Sequence, residues 1–492
     1  MMLPQPDANS IRSEDSLPAL DAMLLQAHRL RLAANWPAAA AAYRACLARQ
    51  PDSPELLHNL ALCLHASGRH ADALPLCRRA LAARPQLWQS AVLLGQALQA
   101  IGDPPGADQA YLAALRAQPG QADALLGRAD LAMNSFGDPL RASALVAPLL
   151  ADPEHRRDAL LTMLMASLYD RDEDALTLNQ RIIAFSRAYL RLDGWDRAPL
   201  PPRGPGARRQ RIGILSPLLC AGPVYFLTIA TWRRAAQQGE LIVFQRGTRQ
   251  DWASDELGRL AHEWHEAHGL DALQLARALH DANLDLLYDL GGWMDPVGLQ
   301  ALSVKPARRQ YKWVGGQSVT TGLSSFDGWV GDEAQSPLRL QSLYTEPLLN
   351  LAGGYATYTA PPYLPAPAAH KRSEPVIFAN PAKLSRAFLS HLAARPGRKV
   401  FVHRQYQYPQ VRERIEQVLD PVSVEYVCPA SHLEALQAVN QHAEMLDTFP
   451  YSSGLTAREA IAMGTRVIGH SGTLFCERHT AALTPSGSAV QA

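Results

Sequence analysis

Small and apolar residues recur at helical spacing through the first third of the chain, and four prolines punctuate them at a fixed interval. Pro51, Pro85, Pro119 and Pro153 lie 34 residues apart. The same step links other positions. Ala27, Ala61, Gly95 and Ala129 give a small residue in each first helix. Ala39, Ala73 and Ala107 do so in each second helix, and Arg141 breaks the series. An aromatic position reads Tyr43, Cys77, Tyr111 and then Leu145, and Gly68 and Gly102 fall at turns between paired helices. The pattern predicts three good helix pairs and a degraded fourth, stacked as an α-solenoid whose concave face suits an extended peptide.

From residue 154 the helical texture continues without the period, and a Pro/Gly/Arg stretch at 197–210 reads as a linker. Short β-rich runs then alternate with helices. The runs are RIGILS (211–216), ELIVFQ (240–245), LDLLYDL (284–290), PVIFAN (375–380), RKVFVH (398–403) and TRVIGH (465–470). Helices are expected at 272–282, 433–446 and 456–464. Such alternation predicts parallel sheets with helices on both faces. A second Gly/Pro-rich loop, 353–375, divides this region into two Rossmann-like halves, with ligand sites expected beyond the carboxyl ends of the strands. The fold class is therefore α plus α/β, a solenoid followed by a two-lobed region.

Composition narrows the partners. The 492 residues carry 47 basic and 46 acidic side chains, a net charge of +1, which gives no reason to propose nucleic acid or an anionic membrane. No run of about 18 apolar residues is present, so no membrane span is expected. The polar N-terminus lacks a secretory apolar stretch, and six scattered cysteines without CxxC spacing read as reduced thiols, which fits the cytoplasm.

The strongest chemical signal is LDTFPYSSGLTAREAIAMGTRVIGHSG (446–472). Asp447 ends a strand, and a Ser/Gly loop leads into a helix near Thr456. Loop amides and the positive helix start suit an anion such as a diphosphate, and Glu459, one turn in, suits ribose hydroxyls. Thr456 and Glu459 equally match a capping box, in which both side chains serve only the helix amides. His262, His265 and His268 (HEWHEAHG) read as a polar helix face rather than a zinc site, because no carboxylate cluster accompanies them. Asp327 and Asp332 read as turn formers.

With a tetratricopeptide-like period ahead of this segment, the chain resembles the O-linked N-acetylglucosamine transferases and their bacterial and SPINDLY-like relatives. LDTFPYSSGLTAREAIAMGTRVI carries the likeness, supported by VCPASHLEALQAVNQHAEMLD, PARRQYKWVGGQSVTTGLSSFDGWVGDEAQSP and YDLGGW. The likeness spans about residues 20–483. It implies a GT-B glycosyltransferase region and a UDP-sugar donor, with no metal or other cofactor. Residue by residue, it implies that Ser453, Gly454 and Thr456 hold the diphosphate and Glu459 the ribose. His432 and the Cys428-Pro429 backbone would flank the uracil. The family's lysine falls on Arg386, with Lys383 as its substitute; these two are the expected catalytic cations.

Departures accompany the likeness. SPLLCAGPVYFLTIA (216–230) lacks the first-lobe histidine, Leu455-Thr456 loses one of two threonines, and the chain ends soon after Leu483, before the family's further helices. The expected organisation is a disordered N-terminus (1–20), repeat solenoid (21–153), helical connector (154–196), linker (197–210), first lobe (211–352), interlobe linker (353–374), truncated second lobe (375–483) and tail (484–492). The expected function is UDP-sugar-dependent glycosylation of protein side chains, with N-acetylglucosamine or glucose as the sugar and the repeats presenting the acceptor. The alternative is a catalytically degenerate protein-binding scaffold.

Overall fold

The computed structural model describes residues 20–203 and 209–483. The expected disordered segment before residue 20 and the tail at 484–492 lie outside the described residues, as do linker residues 204–208. The chain divides into two compact units, one ending at Leu131 and one beginning at Ala132.

In the first unit, helices alternate with short turns: α1 (Leu20–Leu32), α2 (Trp36–Arg49), α3 (Pro54–Ala66), α4 (His70–Ala83), α5 (Trp88–Ala100), α6 (Pro104–Ala117) and the start of α7 (Ala122–Asn134). The periodic small residues are the contact surface. Ala27, Ala39, Ala61, Ala73, Ala107 and Ala129 are all fully buried, so the helices approach to backbone distance. Gly95 has a specific reason to lack a side chain, because a Cβ there would lie 2.6 Å from the Tyr111 ring. The turn position between paired helices takes positive φ each time: Ala34 at 54°, Gly68 at 76° and Gly102 at 81°. Glycine adopts this conformation freely, whereas Ala34 carries its steric cost.

The fourth helix pair is α7 followed by α8 (Pro139–Val146). Its turn holds four residues, 135–138, where the earlier turns hold three. The extra residue moves every later position one step. Ala142 and Val146 are fully buried while Arg141 and Leu145 are only partly so, and Gly137 takes the positive φ at 61°. The break at Arg141 is therefore a one-residue shift of the buried positions along α8.

The second unit continues with α9 (Arg156–Ser167) and α10 (Ala175–Tyr189), then two parallel sheets. The first contains β1 (Gln210–Ser216), β2 (Gly239–Gln245), β3 (Glu263–Glu266), β4 (Leu286–Asp289), β5 (Arg309–Lys312), β6 (Gly328–Gly331) and β7 (Leu348–Asn350). Their order is β3-β2-β1-β4-β5-β6-β7. The intervening helices are α11 (Pro223–Gln238), α12 (Trp252–Leu260), α13 (Ala272–Asp281) and α14 (Pro296–Leu302). Ile214 and Leu215, adjacent on β1, are buried in separate apolar clusters on opposite faces, as a sheet covered on both sides requires. Connector residues Leu178, Ile182 and Phe185 join the cluster containing Leu215, so α10 serves as part of the sheet's cover.

The second sheet contains β8 (Val376–Ile377), β9 (Lys399–Val402), β10 (Val424–Val427), β11 (Glu444–Leu446) and β12 (Arg466–Ile468), in the order β10-β9-β8-β11-β12. Its helices are α15 (Arg386–Ala394), α16 (Pro409–Glu416), α17 (His432–Asn440) and α18 (Leu455–Ala462). Both orders reverse direction beside the first strand of their sheet, the arrangement that opens a crevice at the carboxyl ends.

Two expected elements change. The helix expected at 433–446 ends at Asn440, and its last residues form β11. The His262–His268 row is not helical: His265 lies on edge strand β3 and His262 and His268 flank it, so the three imidazoles share no helix face. His265 stacks on Phe244 with ring centroids 4.6 Å apart, and His262 Nδ1 accepts the Leu241 amide at 3.3 Å. Among the described residues no group of three or more His, Cys, Asp or Glu is disposed to hold a metal, and no helix is long and apolar enough to cross a membrane.

Tyr111 fills the space that Gly95 leaves. Tyr111→Ala is expected to destabilise the first unit by about 3–5 kcal/mol, the usual cost of emptying a buried aromatic site. A urea titration followed by far-ultraviolet circular dichroism checks it.

Candidate active site

The loops that follow the strands of both sheets enclose a cleft of about 940 Å³ within the second unit. From the first lobe come Leu218, Ala221 and Gly222 after β1 and Val314 to Gln317 after β5. From the second come Lys383 after β8, His403 after β9, Pro429 and His432 after β10, and Gly454 to Thr456 with Glu459 after β11.

Helix α18 opens on Gly454 with no side chain capping it. The Thr456–Glu459 capping box therefore does not form. The first amides of α18 lack intrahelical partners and carry the positive end of the helix dipole, and Gly454, Leu455 and Thr456 line the cleft. Glu459 turns away from those amides and is fully buried in the cleft wall, with neither carboxylate oxygen hydrogen-bonded to a backbone donor. Its near neighbour is His432, whose Nε2 lies 3.0 Å from Oε1. On the other side of that ring, Nδ1 lies 3.0 Å from the Tyr363 hydroxyl. The imidazole thus stands between the Tyr363 hydroxyl and a carboxylate that only accepts, and both Glu459 oxygens remain without a hydrogen-bond donor. Tyr363 comes from the interlobe linker, where nothing in its local sequence marked it.

The loop ahead of α18 is held from behind. Asp447 is buried and accepts the Thr448 amide at 2.8 Å, the Ser453 amide at 2.9 Å and the Thr480 hydroxyl at 2.9 Å. Burial raises its carboxyl pKa, against the lowering effect of Ser453, Lys383 and Thr480. Ser453, expected at the diphosphate, faces inward instead: it is fully buried and its amide belongs to Asp447. Cys428 is exposed, with Arg412 Nη2 3.8 Å from its Sγ, while Pro429 next to it lines the cleft.

The two expected cations separate completely. Arg386 is not in the cleft wall. Its guanidinium lies 3.0 Å from Asp170 and 2.9 Å from Asp172, and its amide donates to Asp170 at 2.8 Å, so it ties α15 to the turn after α9. Lys383, three residues earlier, does line the cleft. Its ammonium donates to the Ser452 carbonyl at 2.8 Å and lies 4.8 Å from the Tyr451 ring centroid. Burial lowers its pKa, opposed by the charge of Asp447. Tyr451 stacks on Tyr169 at 4.7 Å, and its hydroxyl meets Ser318 Oγ of the first lobe at 2.8 Å.

Sequence reasoning also missed His403 and His479, which both line the cleft. Burial, with Arg404 and Lys383 nearby, depresses His403 to about 4. Burial, with Lys383 and Arg458, depresses His479 to about 3. Both are neutral near pH 7 and weak as bases. His403 ended the RKVFVH run, the position at which a parallel strand delivers residues to a cleft; His479 carried no such signal.

The tetratricopeptide repeat family matches residues 24–87 and 92–159. The probable UDP-N-acetylglucosamine–peptide N-acetylglucosaminyltransferase SPINDLY of Solanum lycopersicum is 24% identical over 311 residues, 59% of this chain and 33% of that protein. The Arabidopsis thaliana protein of the same name is 24% identical over 312 residues, with the same shares. The chain thus spans about a third of the length of these curated relatives. A solved mutant of the Thermobaculum terrenum O-GlcNAc transferase superposes with a TM-score of 0.62 at 26% identity, covering 94% of this chain and 84% of the other.

The two depressed histidines make stability depend on pH with a definite sign. Below the ordinary value of 6.5 the unfolded chain takes up protons at His403 and His479 that the folded chain refuses until about 4 and about 3. Stability is therefore lost as pH falls from 6.5 toward 4. Urea midpoints measured between pH 5 and 7 are expected to fall with acid, and less steeply in the His403→Gln/His479→Gln double variant.

Proposed function

We propose that this chain is a tetratricopeptide-repeat protein of the O-GlcNAc-transferase kind, which binds a UDP-sugar in the interlobe cleft and transfers the sugar to a protein side chain; the likeness to SPINDLY proteins and to a solved O-GlcNAc transferase supports the reading. The observation that carries the reading is Glu459. A fully buried carboxylate without a backbone donor, beside an uncapped helix start, suits a ligand that brings hydroxyls next to an anionic group. A nucleoside diphosphate does so. Its ribose hydroxyls would donate to Glu459, its base would lie against His432 and Pro429, and its phosphates would meet the α18 amides and Lys383.

In the transfer, a Ser or Thr hydroxyl of the acceptor attacks the anomeric carbon. The bond from that carbon to the diphosphate oxygen breaks, UDP leaves with the electron pair, and the hydroxyl proton passes to a base or to water. The charge gathering on the departing diphosphate is met by Lys383 and the α18 dipole, fixed in place before the reaction. The sugar is N-acetylglucosamine or glucose, the repeats present the acceptor protein, and the setting is the cytoplasm. One observation favours the second reading, a scaffold that binds without transferring. At the first-lobe wall by Leu218, Ala221 and Gly222 the carboxylate is Asp251, whose oxygens already accept the Ala221 and Ala253 amides, and the neutral His403 and His479 are poor proton acceptors.

Calorimetric titration with UDP is expected to show binding that Glu459→Ala weakens about 10- to 100-fold, as loss of hydrogen bonds to a charged group implies. Undetectable binding to the unaltered chain, or an unchanged affinity in the variant, contradicts the nucleotide reading. UDP release from UDP-N-acetylglucosamine or UDP-glucose in the presence of a protein acceptor separates transferase from scaffold.

Lys383 adds a pH signature. Burial lowers its pKa from the ordinary 10.5, and a bound diphosphate favours its charged form. UDP affinity is expected to fall as pH rises from 7 to 10, and the same series in Lys383→Met is expected to be flatter.

A further inference from the structure

The turn between α7 and α8 does more than close a helix pair. Three segments gather around it, all in the second unit. Phe136 is buried edge-on against Tyr408, with ring centroids 5.6 Å apart. The Gln405 side chain donates to the Asn134 carbonyl. Gly137 presses on the short helical turn at Pro381–Lys383, so that a Cβ there would lie 2.5 Å from the Ala382 nitrogen and 2.5 Å from Pro381 Cβ. Arg414 grips that turn at both ends, donating to the Pro381 carbonyl at 2.6 Å and the Leu384 carbonyl at 2.8 Å.

The turn thus backs the segment that carries Lys383. Asn380 accepts the Ala382 amide at 2.9 Å and Arg414 fixes the flanking carbonyls, so the peptide between them has little room to yield. Gly137 is also the residue that the inserted position moves into the positive-φ site, which glycine occupies without strain. The extra residue that disrupts the repeat's spacing delivers a residue without a side chain to the rear of the cleft wall.

Resting on the nucleotide reading of the cleft, we infer that Gly137 is a positioning residue for Lys383: its bare backbone sets the depth of the Pro381–Lys383 turn, and through it the place of the ammonium that meets a diphosphate. Gly137 touches no ligand. Its effect is expected at the phosphate end, because the three atoms nearest a Cβ at Gly137 all belong to Pro381 and Ala382, whereas His432 and Glu459 stand on α17 and α18.

The test is the difference between two ligands, UDP and uridine, titrated into the full chain. Gly137→Ala is expected to weaken UDP at least about fivefold while leaving uridine within twofold. In a Lys383→Met background the same substitution is expected to add nothing, since coupled residues do not lose the same interaction twice. Equal weakening of both ligands, or an undiminished effect without the lysine, overturns the inference and marks Gly137 as structural only. An unchanged UDP affinity also overturns it, leaving the nucleotide reading intact. A full chain that binds neither ligand removes both. If circular dichroism shows that Gly137→Ala does not fold, Phe136→Leu loosens the same docking without adding a clash. The same split between UDP and uridine is expected of it, and its absence is equally decisive.

Discussion

Parallel pairing governs the second unit. A parallel strand cannot follow its neighbour through a tight turn, because the chain must first return along the whole length of the sheet. Those returns are right-handed and place helices on the faces, so every strand of a sheet ends at the same edge. Seven strands in one sheet and five in the other do this, and the loops leaving those edges are the ones that line the cleft. Lys383, His403, Pro429, His432 and Glu459 are spread over some 80 positions of chain, yet they converge because four successive strands deliver them.

Given that convergence, the polar groups divide into those that shape the wall and those that face the cleft. Asp447 belongs to the first kind: its oxygens are taken by Thr448, Ser453 and Thr480, which fixes the loop so that Gly454 and the α18 amides are presented. Glu459 and Lys383 belong to the second. A charge buried without full compensation is costly, and sites that bind ions carry that cost in the free protein. In the proposed complex the ribose hydroxyls and the diphosphate provide what the fold withholds from each.

The helical segments are joined to this chemistry more closely than a linker and a lobe would suggest. Arg386 and Arg171 bind the turn after α9 to the second lobe, through Asp170 and Asp172 on one side and Glu477 on the other. Tyr169 from the same turn stacks beneath Tyr451, the ring over which Lys383 lies. The connector thus forms part of the cleft's foundation.

Much was legible along the chain. The 34-residue period was plain because each helix pair needs a small residue at the same closest contact, and β1, β2, β4 and β9 were plain because strands buried on both faces are apolar without interruption. The elements misread were those whose pattern has no single owner. β3 is a polar edge strand, β11 is three residues continuing a helix-like run, and the fourth repeat hid a one-residue insertion that no fixed step accommodates. The residues of the cleft followed the same division. Glu459 and His432 stood in a recognisable phrase, but capping and ligand binding use the same side chains. Only the direction in which Glu459 turns separates them. Likewise, sequence set two cations three residues apart and could not choose. The choice came from Asp170, more than 200 positions away, which draws Arg386 to the connector while Lys383 remains against Ser452 and Tyr451. Sequence fixes which groups are near one another along a helix or strand; which of them meets the cleft is settled by distant partners that compete for the same charge.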